Sequence, residues 1–336
     1  MKVKFLSLIL LLMLACQLPG VAPATSLPPT AFPPLALTST LIPTATAIQT
    51  ETASPTPTIT PPPHATRVLI LSIDGLRPDA IALAPMPNLL ALMQNSAYTL
   101  NAQTVLPSVT LVSHTSMLTG LCPSKHGVNW NDYLPENGFA IGTDLFDIAH
   151  ANGLQTVMYV GKYKLRQITE PASTDIFESF DDSDLLVLTA GLLTDFPQDF
   201  GVLFIHFAAP DDIGHEYGWM SPEQLSIIAR ADEALGQILA ELDARGLREE
   251  TLIIVTADHG GHDSSHGTDL PEDMTIPWIA SGPGIQPKML TTQVHTMDTA
   301  ATAAMLLGLP IPLEWDGVPV YEAFGLPIIK QSTACP

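Results

Sequence analysis

The sequence predicts an α/β fold: a three-layer sandwich in which a mostly parallel central sheet is flanked by helices. Three observations carry that prediction. Unbroken apolar runs of strand length recur along the chain, the mark of strands buried on both faces. Segments of helical periodicity lie between them, the alternation that gives a parallel sheet covered on both sides. Of the 336 residues, 46% are hydrophobic and 14% charged, ample for a large core.

The folded part is preceded by two other segments. In residues 1–16, Lys2 and Lys4 give a basic start, Phe5 to Leu14 form an apolar run, and Ala15 precedes Cys16. This pattern reads as an export signal, its apolar run too short to span a bilayer comfortably. Met-Leu-Ala-Cys16 resembles the lipobox of bacterial lipoproteins, in which the Cys is acylated and anchors the chain to a membrane. Met13 is not the favoured residue at its position, so cleavage of a plain secretory signal, with release from the cell, is the alternative. Residues 17–66 are built from Pro, Thr, Ala and Ser, with Glu51 the only charged side chain. Such a segment cannot bury enough apolar surface to offset its ordering entropy, and reads as a disordered, Pro-stiffened linker.

The catalytic-size domain, residues 67–336, opens with a strand at Arg67-Val-Leu-Ile-Leu-Ser-Ile-Asp-Gly75. Comparable runs follow at Leu154 to Val160, Gly201 to Phe207 and Thr251 to Thr256, with a weaker one at Ile276 to Ala280. Helical patterns cover Met86 to Asn95, Thr110 to Thr119, Thr143 to Ala151, Asp182 to Leu193, Pro222 to Ala244 and Asp298 to Leu307. In such folds the site lies at the carboxyl ends of the strands. Asp74 follows the first strand, Asp211 and His215 the third, Asp258 and His259 the fourth.

Lys and Arg number 13 against 34 Asp and Glu, a formal net charge of −21. This excludes a surface that tracks a nucleic-acid backbone, while abundant carboxylates suit divalent cations. Cys122 and Cys335 remain once the signal is removed. In an oxidising compartment they can pair and tie down the tail, or stay as two thiols, and the spacing does not decide between these.

Thr110 stands where the extended run broken by Pro107 and Ser108 turns helical. A hydroxyl at a helix start is often a plain cap, but the free N–H groups there also favour an anion such as phosphate. Asp74 opens Asp-Gly-Leu-Arg, otherwise a simple turn. Pro210-Asp-Asp-Ile-Gly-His-Glu-Tyr-Gly218 reads as a loop that brings Asp211 and His215 to one ion. Thr256-Ala-Asp-His-Gly-Gly-His-Asp-Ser-Ser-His-Gly267 is the most specific stretch, since so many ligand types spaced by glycine are hard to explain as turn chemistry. Zinc takes imidazole nitrogen and carboxylate oxygen at about 2.0–2.2 Å. Two ions about 3.5–4 Å apart form a clamp for phosphoryl transfer, and an isolated Thr hydroxyl needs such activation.

On these motifs the chain resembles the alkaline phosphatase superfamily and, within it, the type I phosphodiesterase/nucleotide pyrophosphatase family. The resemblance runs from about Arg67 to Val320. It rests on Asp-Gly-Leu-Arg, Thr110 through Thr-Gly-Leu-Cys-Pro-Ser-Lys-His-Gly127 to Asn131, Pro-Asp-x-x-Gly-His, Asp-His-Gly and a final His-Gly. It implies two zinc ions, although other divalent ions can serve. Asp74, Thr110, Asp258 and His259 would hold one, and Asp211, His215 and His266 the other. His262 and His295 are the rivals of His266, which is preferred for the Met274-Thr-Ile-Pro-Trp and Gly-Pro-Gly284 that follow it. Thr110 would be the nucleophile. Asn131 and the backbone N–H of Leu111 would bind a non-bridging phosphoryl oxygen.

The chain departs from the family in two places. The nucleotide pyrophosphatases carry Phe after the nucleophile, where Leu111 stands here, and insert a long segment between the positions of His259 and His266. Both departures weaken a nucleotide-specific reading. Lys162, in Val-Gly-Lys-Tyr-Lys-Leu-Arg, follows a strand end and can face the phosphate, as extra cations do in monoesterases of the superfamily; otherwise it is a solvated lysine. His114 and His126 read as structural, His206 as a satisfied core residue, and His64 and His150 carry no signal. The expectation is an exported phosphodiester hydrolase acting on a small phosphoester. Phosphomonoester hydrolysis is the runner-up, and a surface lipoprotein that binds metal or a phosphorylated ligand without turnover is the non-enzymatic alternative.

Overall fold

Among the described residues, eight strands form one sheet in the order β4-β3-β5-β1-β6-β7-β2-β8. They are β1 (Arg67–Ile73), β2 (Ala97–Gln103), β3 (Gln155–Val160), β4 (Ile176–Ser179), β5 (Phe200–Phe207), β6 (Thr251–Thr256), β7 (Thr275–Ser281) and β8 (Lys288–Met289). The structure, a computed structural model, describes residues 64–181 and 185–336. The export signal with Cys16, and the linker as far as residue 63, lie outside the described residues. The linker predicted to run to residue 66 ends sooner, because Ala65 is buried and donates its N–H to Leu306 O at 3.0 Å.

The strands β4, β3, β5, β1 and β6 are parallel to one another. β5 and β6 are buried at every position and β1 from Val68 onward, which is why these segments read as continuous apolar runs. β7 runs antiparallel to β6 and to β2, so the sheet is mixed at this edge. β2, β4 and β8 escaped the pattern reading because β2 and β4 are only partly buried and β8 has two residues. Helices flank the sheet in two groups. Pro87–Met93, Leu185–Thr194 and Ala209–Tyr217 pack on the long Pro222–Ala244 helix; Thr110–Thr119, Leu145–Ala151 and Asp298–Leu306 pack together. Cys122 and Cys335 are joined by a disulfide that fastens the carboxyl-terminal tail to the turn after the Thr110–Thr119 helix.

The register of the central strands places the site. Ser72 of β1 is level with His206 of β5 on one side and Thr256 of β6 on the other. The segments that follow these strands therefore leave the sheet along one edge, carrying Asp74, Asp211 and Asp258.

Candidate active site

Thr110 opens the Thr110–Thr119 helix, and no side chain caps that end. Its Oγ1 lies 3.5 Å from Asp74 Oδ2. The turn after β1 is held by Gly75, which has φ +72° and donates its N–H to Asp258 Oδ1 at 3.2 Å. A Cβ on Gly75 would lie 3.3 Å from the Asp211 backbone, so glycine lets the Asp74 and Asp211 segments approach.

Residues 209–217 form a helix, not the loop predicted for Pro210 to Gly218. Pro210 sits in its first turn, where a missing N–H costs nothing, and Gly218 ends it. The helix explains the spacing, because Asp211 and His215 at i and i+4 share one face. The third motif is shaped by close packing of backbone. Gly260 and Gly261 donate to the Asp273 and Glu272 carbonyls at 2.8 Å, and a Cβ on Gly260 would meet Glu272 O at 2.0 Å.

Two clusters result. In one, His259 Nε2 lies 3.3 Å from Asp74 Oδ1 and 3.2 Å from Asp258 Oδ2. In the other, Asp211 Oδ1 is 3.5 Å from both His215 Nε2 and His266 Nε2, which are 3.1 Å apart. The rings of His259 and His266 stack at 3.8 Å between centroids and link the clusters. All the residues expected to ligate metal are thus brought together. The rivals are elsewhere: His262 binds Asp273 at 2.7 Å and His295 binds Ser332 at 2.8 Å.

The imidazole tautomers are fixed by carbonyls, which can only accept. Nδ1–H of His259 donates to Gly260 O at 2.7 Å, that of His266 to Ser108 O at 2.8 Å, and that of His215 to Ser264 O at 3.0 Å. Each Nε2 therefore presents a lone pair. Those lone pairs face carboxylate oxygens that are acceptors as well. Asp74 Oδ1, Asp211 Oδ1, Asp258 Oδ2 and His259 Nε2 are buried without a hydrogen-bond partner. Acceptors crowded against acceptors at 3.2–3.3 Å among the wholly buried His259, Asp74 and Asp258 are costly in a low-dielectric interior, and a cation among them removes the cost. The donor set therefore fits divalent metal, with Asp74, Asp258 and His259 as one candidate group and Asp211, His259 and His266 as another.

The protein supplies one cation itself. Lys162 Nζ reaches Asp74 Oδ2 at 2.7 Å and Asp211 Oδ2 at 2.5 Å, bridging the clusters. Burial would raise the Asp74 carboxyl, but Lys162 and the hydrogen bond from His206 hold it well below the usual carboxylate range. Asp258 is pushed well up by burial and by the charges of Asp74 and Asp211. The His259 ring is lowered to about 4 by burial and by His266.

Asn131 reaches the start of the Thr110–Thr119 helix. Its Oδ1 accepts from the Leu111 N–H at 2.9 Å and from Lys164 Nζ at 3.2 Å. The Leu111 N–H expected to face substrate is thus taken up by Asn131, and the Leu111 side chain is wholly buried. A cavity of about 500 Å3 lies against Lys162 and Lys164. A larger one, about 790 Å3, lies between Asn95, Arg248 and Gly282 at the amino end of β6 and touches none of these residues.

Two site residues escaped sequence reasoning. Lys164 stands two positions after Lys162, and nothing in the sequence sets it apart from that residue. His206 is a satisfied core residue as expected, yet its partner is Asp74, at 3.0 Å. The signal for it was a titratable side chain inside an apolar strand, one residue before that strand's carboxyl end. His114 and His126 are structural: His114 spans Thr110 O and Ser72 Oγ at 2.8 Å each, and His126 spans Ser116 Oγ and the Val128 N–H.

A mixed sheet between two helical layers, with carboxylates and imidazoles gathered at the strand ends around a helix-start threonine, defines a protein of the alkaline phosphatase-like class. Solved structures agree on the fold. Murine ectonucleotide pyrophosphatase/phosphodiesterase 5, determined as an inactive variant in complex with AMP, matches with a TM-score of 0.63 at 18% identity, over 74% of this chain and 96% of that one. The phosphonate monoester hydrolase of Silicibacter pomeroyi matches with a TM-score of 0.62 at 17% identity, over 78% and 77%. The chain belongs to the type I phosphodiesterase / nucleotide pyrophosphatase family, whose sequence profile matches residues 68–144 and 155–275. Similar curated proteins include the venom phosphodiesterase CdcPDE of Crotalus durissus collilineatus, 28% identical over 57% of this chain and 26% of its own length. The mouse bis(5'-adenosyl)-triphosphatase is 25% identical over 58% of this chain and 47% of its own. The match spans less than half the length of either relative.

Proposed function

We propose that the chain is a metal-dependent phosphodiester hydrolase with Thr110 as nucleophile. Two divalent cations, best matched by zinc, would be held by Asp74, Thr110, Asp258 and His259 on one side and by Asp211, His215 and His266 on the other. They would supply Lewis-acid activation of the threonine hydroxyl and of the leaving oxygen. The observation that carries this reading is the set of imidazole lone pairs, fixed by Nδ1–H bonds to carbonyls, facing unpartnered carboxylate oxygens.

Thr110 Oγ1 bonds to phosphorus in line as the bond to the leaving oxygen breaks and that oxygen takes up a proton, giving the first alcohol and a phosphothreonine that still carries the second ester group. Water then cleaves the phosphothreonine, restoring the hydroxyl and releasing the phosphoryl product. Asn131, whose Oδ1 is held by the Leu111 N–H and Lys164, turns its amide donor to a non-bridging oxygen. Burial of the site strengthens each of these polar contacts. Export agrees with the disulfide between Cys122 and Cys335, since such bonds persist in oxidising compartments.

One observation favours a second substrate preference within the same chemistry. Lys162 and Lys164 line the same cavity, Lys164 also holding Asn131, and added positive charge there suits the dianion of a monoester. The test is hydrolysis of bis-p-nitrophenyl phosphate and of p-nitrophenyl phosphate by metal-loaded protein. Thr110→Ala should abolish the faster of the two, and the ratio of the rates decides between diester and monoester. A wild type as silent as Thr110→Ala across a broad phosphoester panel, yet still binding metal, would leave a binding protein instead of an enzyme.

A further inference from the structure

His206 is wholly buried and takes no part in the reaction steps proposed above. Its two ring nitrogens are both engaged. The Gly161 N–H is shared between His206 O at 3.1 Å and Nδ1 at 3.3 Å, and the carboxylate acceptor facing Nε2 places the ring proton there. That proton is donated to Asp74 Oδ2 at 3.0 Å. The ring cannot turn over without losing both bonds, and it packs edge-on against His114 with centroids 4.9 Å apart. Its own backbone is pinned in β5, level with Ser72 of β1, while the Asp74 N–H donates to Phe207 O at 3.0 Å. Donor and acceptor are thus carried by two adjacent strands in fixed register.

The consequence lies at the other oxygen. Oδ2 of Asp74 is occupied by His206 and Lys162. Oδ1 has no hydrogen-bond partner and faces the lone pair of His259 Nε2 at 3.3 Å. A carboxylate free to spin about its last bond would present either oxygen; this one cannot.

We infer that His206 is a positioning residue that dedicates Oδ1 of Asp74 to the cation held with Asp258 and His259. The inference rests on the metal-binding reading above. Partners of this kind fix ligand orientation, and their loss typically weakens metal binding about 10–100-fold. Among the described residues Asp211, His215 and His266 make no hydrogen bond with His206, so the second cluster should be much less affected, being coupled to it only through Lys162 and the His259–His266 stack.

The test is titration of chelator-stripped full-length protein with Co2+ or Zn2+, following each bound equivalent by Co2+ absorption and calorimetry. His206→Phe keeps the ring volume and removes the donor. His206→Asn keeps an acceptor for Gly161 but lacks the reach to Asp74. His206→Gln carries an amide donor near the Nε2 place. In the Phe and Asn variants one equivalent should weaken about 10–100-fold, with the other within about threefold of wild type. The Gln variant should recover most of the loss. If Phe fails to fold, the Asn and Gln pair carries the comparison. Unchanged affinity for both equivalents in Phe and Asn overturns the inference while leaving the metal site intact. Equal weakening of both equivalents, with Gln no better than Phe, reduces His206 to packing and overturns it as well. A wild type that binds no divalent ion overturns the metal reading, and the inference falls with it.

Discussion

Replacing Lys162 with Met keeps most of the side chain's volume and removes a charge set between two carboxylates. The Lys162 side chain is 16% exposed, against 0% for Asp74 and 3% for Asp211, and its ammonium lies 2.7 and 2.5 Å from their oxygens. Removing one partner of a buried ionic contact costs about 3–5 kcal/mol, because an uncompensated charge is left behind. For a folded region of this size that corresponds to about 6–20 °C in melting temperature, at roughly 2–4 °C per kcal/mol. The loss should appear in protein stripped with chelator. With divalent ions bound, the same carboxylates have other cations beside them, and the penalty should shrink. Linkage then fixes a second outcome: whatever stability is recovered in the metal-bound state appears as tighter metal binding in the variant. A recovery of about 2 kcal/mol means roughly 30-fold. Denaturant titrations of wild type and Lys162→Met, each with chelator and with saturating Zn2+, measure all four corners. An equal loss with and without metal would refute the placement of cations beside Asp74 and Asp211. So would a loss under about 1 kcal/mol in stripped protein, well short of the range expected for a buried pair.

Lys164→Met removes the ammonium on Asn131 Oδ1. A charge-assisted contact worth about 1.5–3 kcal/mol should cost roughly 10–150-fold in kcat/KM on p-nitrophenyl phosphate and only a few-fold on the diester; equal losses on both would remove Lys164 from phosphate recognition. Cys335→Ser opens a bond between residues 213 apart in sequence and should cost about 2–5 kcal/mol of stability by denaturant unfolding. His126 is lowered from 6.5 to about 4 by burial. Its folded pKa lies below its unfolded one, so the unfolded chain takes up the proton first, and stability is full above about pH 6.5 and lost toward pH 4. At 1.36 kcal/mol per pKa unit the loss approaches about 3 kcal/mol. Stability against pH in chelator should flatten over this window in His126→Asn, and an unchanged slope would disprove the assignment.

The sequence by itself determined the parallel core of the sheet, the helix from Thr110 to Thr119 and the long helix from Pro222 to Ala244. Burial on both faces and a 3.6-residue period are local signals that survive in one dimension. It also marked the candidate ligand motifs, because Asp-His-Gly-Gly-His and Pro-Asp-x-x-Gly-His concentrate donor types that turns and surfaces do not need, while the assignment of individual ligands came from the family resemblance. The tertiary structure alone decided how those groups meet. The motif taken for a loop is a helix, and the i, i+4 geometry aims Asp211 and His215 at one point. β7 runs antiparallel, because strand direction is set by which neighbour a strand pairs with and leaves no trace in composition. Lys162 spans both clusters, Asn131 is bound to the Leu111 N–H, and His206 of an apolar strand holds Asp74. Each of these contacts joins residues distant in sequence, and the register of β1 against β5 and β6 brings them within hydrogen-bonding reach. That register is a property of the assembled sheet and of no single segment.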